Sequence, residues 1–394
     1  MTSPADRPAV QAAAPRVAVL GGGIVGLASA WALARAGCRV EVFDDDPGGG
    51  ASFAAAGMIA PTSEAAFGQE HLLAAGLASA RLWPDFARDL EHCTGASVAL
   101  QSTGTLLVAS DHDDAAVVQR HTMLLDRLGL ASQRLGTRAA RRLEPALSPR
   151  LCAGVLLRDE HSVDPRRVVR LLLAALGSLG VQVRPTRARP LLAAARCVGV
   201  VTEPGPGRPV ERVEADAVVV ASGWSARDVV LPGLDLRRAV RPLKGQILRL
   251  RGEPGLLTRT VRATVHGDEV YLVPRPDGEV VVGATSEDVG VDTRVTAGGV
   301  HELLRSAVAV VPEVAELELV EATARLRPAT VDNLPLVGAT GTPGLLVAVG
   351  HGRDGILLTP LTAQVMTAAV LDAPAPRHAE SLDPQRFAAE RSPM

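Results

Sequence analysis

The sequence predicts an α/β protein in which a doubly wound, mostly parallel domain is interleaved in the chain with a domain built on a mostly antiparallel β-sheet. Three observations predict this class. The chain has 394 residues, 47% of them hydrophobic. This length is too great for a domain with a single ordinary hydrophobic core. A strand–helix–strand pattern with a glycine-rich first turn begins at residue 16. From about 240 to 324, short strands separated by Gly and Pro dominate instead.

The first strand–helix–strand unit is the clearest element of the sequence. Apolar residues from Arg16 to Leu20 form a short buried strand, and strong helix formers follow from Ile24 to Ala36. Gly37 ends this helix. A second strand over 39–43 then leads into three consecutive aspartates. Because two strands joined through a helix lie parallel, this unit predicts a parallel sheet.

Periodicity and turn residues place the remaining elements and divide them between the two domains. We expect helices over 70–93, 113–129, 165–179 and 361–371, and strands over 104–108, 154–157, 181–183, 217–221, 246–250, 269–273, 279–283 and 345–349. The first domain is expected to comprise 16–93, 151–227 and 325–376, and the second 94–150 and 228–324. Residues 1–15 are expected to form a flexible leader and 377–394 a C-terminal tail.

Composition and charge exclude several classes of protein. The formal net charge is −2, without the basic block of a nucleic-acid-binding protein. No apolar run reaches the roughly 18–20 residues of a membrane span, and the first 15 residues lack the apolar core of a secretory signal. The four cysteines, Cys38, Cys93, Cys152 and Cys197, are widely scattered, as expected for reduced thiols. These features predict a cytoplasmic protein with neither membrane nor nucleic acid as partner.

No metal site is predicted. His266, His301 and His351 are far apart in the sequence, lack the HxxxH spacing and are expected to sit beside no acidic ligand cluster.

The turn of the first unit has the GxGxxG spacing of a dinucleotide-binding fingerprint. Gly21 makes the tight turn, Gly23 lets the backbone approach a pyrophosphate, and Gly26 allows the helix to pack closely on the strand. The helix N-terminus offers free N–H groups to the phosphates. Asp44 ends the second strand, 18 residues after Gly26. There its carboxylate can accept hydrogen bonds from both hydroxyls of an adenosine ribose. An acidic residue there disfavours NADP, whereas FAD and NAD both fit.

Two later segments favour FAD. Ala51 and Ser52, together with Ala56, Gly57 and Met58, form a loop of small residues that suits a ribityl chain and ring. Residues 351–357 follow the last strand as a glycine-rich turn. Its backbone N–H groups are expected to hold the negative charge that develops on a reduced flavin.

Ten segments in order along residues 16–375 resemble the glycine oxidases associated with thiamine biosynthesis, a family within the FAD-dependent amino-acid oxidases. They are GGGIVGLASAWALARAG, ASFAAAGMIAP, GTLLVAS, LEPALSP, HSVDPRRVVRLLLAA, VVVASGWS, VRPLKGQ, YLVPRPDGEVVVGATSE, LRPATVDNLPLVG and GHGRDGILLTP. The resemblance implies bound FAD, a Rossmann-like two-domain fold and oxidation of a small amino acid to its imine by hydride transfer to flavin N5. It further implies that molecular oxygen is reduced to hydrogen peroxide and that the imine is supplied to thiamine thiazole synthesis.

The resemblance also implies roles for individual residues. Arg327 corresponds to the arginine that pairs with the substrate carboxylate, Tyr271 to a tyrosine that touches the same carboxylate, and Arg353 to a second arginine near the site. For the cofactor, it assigns Ile24 and Val25 to the pyrophosphate and Asp44 and Asp45 to the adenosine ribose. It places Arg189 near the adenine and Gly223, in VVVASGWS, at the cofactor. Two further segments are assigned to the cofactor: the loop residues Ala51, Ser52, Ala56, Gly57 and Met58, and the flavin-side turn His351, Gly352, Arg353, Asp354, Gly355, Ile356 and Leu357.

The sequence departs from the family in two ways. Family members often carry an aromatic residue at the position of Gly352 and Asn at the position of Asp354, so a wider pocket with less strict selection for glycine is expected here. No cysteine follows Cys197, which argues against the covalent flavin link of monomeric sarcosine oxidases and predicts non-covalent FAD.

The chemistry of the residues agrees with this assignment. An α-amino acid with a neutral amine needs no protein base at its α-carbon, and a bidentate Arg–carboxylate pair positions it best. Two alternative hypotheses remain: a D-amino-acid or sarcosine oxidase or dehydrogenase, and a flavin-binding subunit of a redox complex. The expected partners are a small amino acid and O2, with room for a homo-oligomer and for a partner enzyme of thiazole synthesis.

Overall fold

The structure, a computed structural model, describes residues 14–205 and 209–388. The expected flexible leader therefore lies, except for its last two residues, outside the described residues, as does the end of the expected C-terminal tail.

Nineteen strands and nine α-helices are found among the described residues. The strands are β1 Arg16–Leu20, β2 Arg39–Phe43, β3 Met58–Ile59, β4 Thr105–Ala109, β5 Gln133–Leu135, β6 Ala153–Leu157, β7 His161–Ser162, β8 Gln182–Arg184, β9 Ala188–Ala193, β10 Arg196–Thr202, β11 Arg212–Glu214, β12 Ala217–Val220, β13 Val240–Arg251, β14 Thr260–Val265, β15 Asp268–Pro274, β16 Glu279–Gly283, β17 Glu318–Thr330, β18 Leu336–Ala339 and β19 Leu345–Val349. The helices are α1 Ile24–Arg35, α2 Ala51–Ala54, α3 Glu70–Thr94, α4 His112–Arg127, α5 Thr137–Leu143, α6 Pro165–Ser178, α7 Leu236–Ala239, α8 Ala297–Val310 and α9 Thr359–Val370. The predicted helices and strands are confirmed to within a few residues at their ends, except that β13 is much longer than expected.

The first of two sheet systems, each a sheet with the helices packed on it, is built on a six-stranded sheet in the order β18-β19-β12-β1-β2-β8. Its strands are parallel except for β18, which is antiparallel to β19. Side chains alternate along β1, so that Val17 and Val19 pack against the helices on one face. Ala18 and Leu20 face a second core that includes Cys197 and residues of β10. Burial on both faces explains the uninterrupted apolar sequence of β1.

An eight-stranded sheet in the order β17-β13-β16-β15-β14-β4-β6-β5 forms the second system. Its strands are antiparallel except for the β14–β4 pair. One face packs on α8, where Leu303, Ala307 and Val310 meet the apolar side chains of the central strands. The other face carries Ile247, which packs with Ala56 from the first system. The predicted fold class is confirmed.

The sheet topology corrects the expected domain boundaries. Strand β6 pairs with β4 and β5 in the eight-stranded sheet, although 151–227 was assigned to the first domain. Strand β17 runs unbroken through the expected boundary at 325, because it pairs with β13 along its whole length. The segment 380–387, expected in the tail, forms two short 3₁₀ turns, of which Pro384 approaches Gly338 of β18.

Among the described residues, no helix has both the length and the apolar character needed to cross a bilayer.

Candidate active site

A cleft of about 1140 Å³ lies where residues of both sheets meet. This is larger than the roughly 300–1,000 Å³ typical of a pocket for one small molecule. Every residue that the sequence assigned to cofactor or substrate lines the cleft, with the exception of Gly26. The fold therefore brings together segments as distant in the chain as the first βαβ turn, β15, β17 and the turn after β19.

The three fingerprint glycines differ in what surrounds them. A methyl group on Gly21 would overlap the carbonyl oxygen of Ala221, and one on Gly26 would overlap the carbonyl oxygen of Gly21. Their own packing therefore requires glycine, and Gly26 lies behind the cleft wall for this reason. A methyl group on Gly23 would meet only the Ser52 hydroxyl, at 3.5 Å. Glycine at 23 leaves room in the cleft at the N-terminus of α1, where a pyrophosphate would lie.

Asp44 ties the fingerprint turn to the end of β2. Its Oδ2 accepts a hydrogen bond from the N–H of Gly22 at 2.5 Å, and its Oδ1 accepts one from the N–H of Asp46 at 2.7 Å. Asp45 is exposed at the edge of the cleft, where it pairs with Arg187 at 2.9 Å. The two backbone hydrogen bonds thus fix the orientation of the Asp44 carboxylate, which lies at the wall of the cleft as a hydrogen-bond acceptor.

The turn after β19 uses some of its backbone donors internally. The N–H of Gly352 donates to the carbonyl of Pro328 at 2.8 Å, and that of Asp354 to His351 at 2.9 Å. The turn therefore does not present all of its N–H groups to the cleft, because these two bonds close the turn and attach it to β17. The N–H groups of Gly355, Ile356 and Leu357 have no acceptor within 14–205 and 209–388. They are suited to the carbonyl and nitrogen that carry charge in a reduced flavin.

Arg327 and Tyr271 form the wall contributed by the eight-stranded sheet. The Nη1 of Arg327 donates to the carbonyl of Thr285 at 3.1 Å, which fixes one end of the guanidinium. Burial raises the pKa of Tyr271, and the positive charge of the nearby Arg327 guanidinium offsets this only in part. Both side chains are half-buried on the cleft. A neutral phenol beside a cation is a suitable pair of donors for a carboxylate.

Arg353 is held differently. Its Nε lies 3.1 Å from Glu64 Oε2, its Nη2 donates to the Glu64 carbonyl at 3.2 Å, and its side chain is 47% exposed. Arg353 therefore braces the segment that contains Glu64 and lies at the open side of the cleft.

A charged cluster around Glu64 was not foreseen. Arg262 Nη1 lies 2.8 Å from Glu64 Oε1, and Asp354 is buried beside the same carboxylate. Burial, and then the charge of Glu64, raises the pKa of Asp354 to about 8. Neither Glu64 nor Arg262 lies in a sequence motif that indicates a functional role. The one available signal was the alternation of β14, which places Arg262 on the face opposite the core residues Val261 and Ala263.

Two histidines depart from simple expectations. His351 is buried, its Nε2 lies 3.0 Å from the Thr362 hydroxyl, and burial lowers its pKa to about 4. It is therefore a neutral packing residue of the turn. His266 does lie beside acidic groups, contrary to the sequence analysis, because the fold brings Asp111 and Asp114 next to it. Asp114 accepts hydrogen bonds from the N–H groups of His266 and Gly267, so this cluster caps the β14–β15 turn.

These features together define an FAD-dependent oxidoreductase: a dinucleotide cleft whose far end is lined by a guanidinium and a phenol. The family model described as "FAD dependent oxidoreductase" matches residues 16–369. The chain belongs to this family.

Individual relatives narrow the comparison. A curated glycine oxidase of Geobacillus kaustophilus is 34% identical over 88% of this chain and 90% of its own length. A bifunctional protein ThiO/ThiG of Trichormus variabilis is 31% identical over 89% of this chain, which spans only 52% of that protein. The crystal structure of the Geobacillus kaustophilus glycine oxidase superposes with a TM-score of 0.85 and 32% identity, covering 95% of this chain and all of that one.

Proposed function

We propose that this protein oxidises glycine, and other small amino acids, with FAD and O2, giving an imine and hydrogen peroxide. The observation that supports this most is the wall formed by Arg327 and Tyr271. A guanidinium and a neutral hydroxyl line the same dinucleotide cleft as the turn 351–357. A small amino acid presents the matching carboxylate.

The residues of this chain bind and orient the substrate. Arg327 and Tyr271 hold the carboxylate, which aims the α-carbon toward the cofactor side of the cleft. When bound, FAD accepts the α-hydrogen as hydride and passes two electrons to O2. The amine loses its proton before this transfer, so no carboxylate of the protein is required to abstract a proton from carbon.

The FAD site that we propose uses the residues already described. The opening at Gly23 and the N-terminus of α1 take the pyrophosphate, Asp44 the adenosine ribose, and Gly355, Ile356 and Leu357 the charged edge of the flavin ring. We propose that the link is non-covalent, because no cysteine lines the cleft among the described residues.

A second candidate substrate class is supported by Gly352. A methyl group built on this residue meets nothing within 4 Å, so the wall of the cleft is open there. That space suits N-methyl or D-side-chain substituents, which favours sarcosine or D-alanine as additional substrates.

Thiazole synthesis is the proposed fate of the imine. It is supported by the relative that joins a ThiO segment to ThiG in one chain. Because the imine hydrolyses in water, a thiazole-forming enzyme that consumes it is the proposed partner.

The experiment that tests the proposed function measures hydrogen peroxide and substrate loss with glycine, sarcosine and D-alanine under air. We expect peroxide in a one-to-one ratio with the amino acid consumed, with glycine among the substrates. Turnover that requires a dye or quinone would identify a dehydrogenase, and anaerobic glycine that leaves the bound flavin oxidised would identify a non-catalytic subunit.

A further inference from the structure

Lys244 is the only lysine in the chain, and it is buried. It belongs to β13, where Leu243, Gly245 and Ile247 line the cleft while Lys244 does not. Because side chains alternate along a strand, Lys244 lies on the face turned away from the cleft. Its side chain is 2% exposed.

The ammonium group of Lys244 is paired with Glu287. Nζ lies 3.1 Å from Glu287 Oε2, and the two backbones exchange hydrogen bonds of 3.0 and 2.9 Å. The other carboxylate oxygen, Oε1, accepts from Gln246 Nε2 at 2.7 Å and from the Thr285 hydroxyl at 2.6 Å. Glu287 is therefore fixed from three directions.

This cluster is joined to the substrate wall through Thr285. The Thr285 hydroxyl accepts from the N–H of Gln246 at 2.9 Å, and its carbonyl accepts from Arg327 Nη1 at 3.1 Å. Thr285 and the next residue, Ser286, line the cleft. The chain of contacts from Lys244 to Glu287 to Thr285 thus ends on the guanidinium that faces the substrate.

The Lys244 side chain is buried and that of Glu287 is 27% exposed, so the loss of hydration offsets much of the attraction between the charges and the pair contributes little net stability. Its removal on one side is costly because the other charge is left unpaired. Such a pair is well suited to fixing one conformation of the segment that it holds. Here that segment supplies the carbonyl that orients Arg327.

We propose that Lys244 and Glu287 are positioning residues, which fix the segment 284–287 from behind the sheet and thereby aim Arg327 at the substrate carboxylate. This inference rests on the proposed function, in which Arg327 binds that carboxylate. The two residues touch neither substrate nor cofactor, so their effect is expected on carboxylate recognition.

The test compares Lys244→Met and Glu287→Gln with a matched control in the FAD-bound enzyme. Arg241 and Asp288 join the same strand to the same segment at 3.0 Å, but with side chains 50% and 63% exposed. Arg241→Ala therefore removes an exposed pair in which Arg241 lies three residues before Lys244 and Asp288 directly follows Glu287. The primary measurement is the Kd of acetate, an unreactive carboxylate, from its perturbation of the flavin spectrum.

We expect Glu287→Gln and Lys244→Met to weaken acetate binding roughly 10- to 100-fold, in the range that a small misplacement of a binding group produces. The KM for glycine should rise in parallel with a smaller change in kcat. Arg241→Ala should change the Kd less than about threefold, and Lys244→Arg should restore most of the affinity.

Acetate binding that is unchanged in Glu287→Gln would overturn the proposal, and so would an equal loss in Arg241→Ala. Glu287→Gln keeps the shape of the side chain, so it supplies the answer if Lys244→Met does not fold. Because acetate binding needs no turnover, a wild-type protein that binds acetate but does not oxidise glycine would refute the proposed function alone.

Discussion

The guanidinium of Arg327 lies directly against the Cα of Gly245 on the neighbouring strand. Arg327 is in register with Leu243, which lies two residues before Gly245 on the same face of β13. A methyl group built on Gly245 would overlap Cζ, Nη1 and Nη2 of the guanidinium. The position of the proposed carboxylate anchor therefore depends on the absence of a side chain at 245.

Gly245→Ala should displace Arg327 while leaving the fold intact, because the obstructing atoms are the far end of a flexible side chain. We expect kcat/KM for glycine to fall about 100-fold, with FAD still bound. Gly298→Ala, at a helical position where a methyl group meets nothing within 4 Å, is the control. Unchanged kinetics in Gly245→Ala would show that the site tolerates a shifted guanidinium.

Asp44→Ala should weaken FAD binding, because the ribose loses a charged acceptor and the fingerprint turn loses its tie to β2. A hydrogen bond to a charged group contributes about 1.5–3 kcal/mol, so the Kd should rise roughly 10- to 150-fold. Titration of the apoprotein with FAD, followed by flavin fluorescence, measures this. If Asp45→Ala has the effect and Asp44→Ala does not, the ribose contact belongs to Asp45.

Denaturation by acid or heat should release intact FAD into solution. Cys38 and Cys197 are buried, Cys93 and Cys152 are exposed, and none of the four lines the cleft in the part of the chain described. The supernatant should therefore carry the yellow colour after the polypeptide is precipitated. Flavin that remains on the polypeptide would contradict the proposed non-covalent link.

The stability of the protein should depend on pH through Asp354. Its pKa rises from 3.8 in the unfolded chain to about 8 in the fold, so the native state holds a proton that the unfolded state has lost. Its contribution to stability is complete below about pH 4 and is lost as the pH rises through about 8. The side chain introduced by Asp354→Asn does not titrate. The difference between the Tm of this variant and that of the wild type should therefore increase, in favour of the variant, as the pH rises from about 4 to about 8. Parallel Tm curves for the two proteins would exclude this role.

Much of the fold was accessible from the sequence because its signals are local. The glycines after β1, the alternation or continuity of apolar residues and the turn residues predicted the elements and the fold class. The boundaries failed where pairing is long-range: β6 joins the other sheet through β4, and β17 continues past residue 325 because β13 pairs with all of it.

The site was accessible only where a short motif carries the residue. Arg327 and Tyr271 were assigned through the segments that resemble a known family, whereas Glu64 and Arg262 meet only through tertiary packing. The burial of Lys244 beside Glu287 likewise follows from the pairing of distant segments, which composition does not reveal.

The measurement that tests the central claim most directly is the anaerobic reduction of the bound flavin by glycine in wild type, Arg327→Ala and Arg327→Lys. Loss of one partner of a poorly screened charge pair costs about 2–5 kcal/mol. The second-order rate constant for Arg327→Ala should therefore fall roughly 30- to several-thousand-fold. Arg327→Lys should also be slow, because an ammonium group cannot make the planar two-point contact. An amine without a carboxylate should lose little in either variant. Visible spectra before mixing confirm that FAD is bound. Reduction of Arg327→Ala by glycine within about threefold of the wild-type rate would contradict the account.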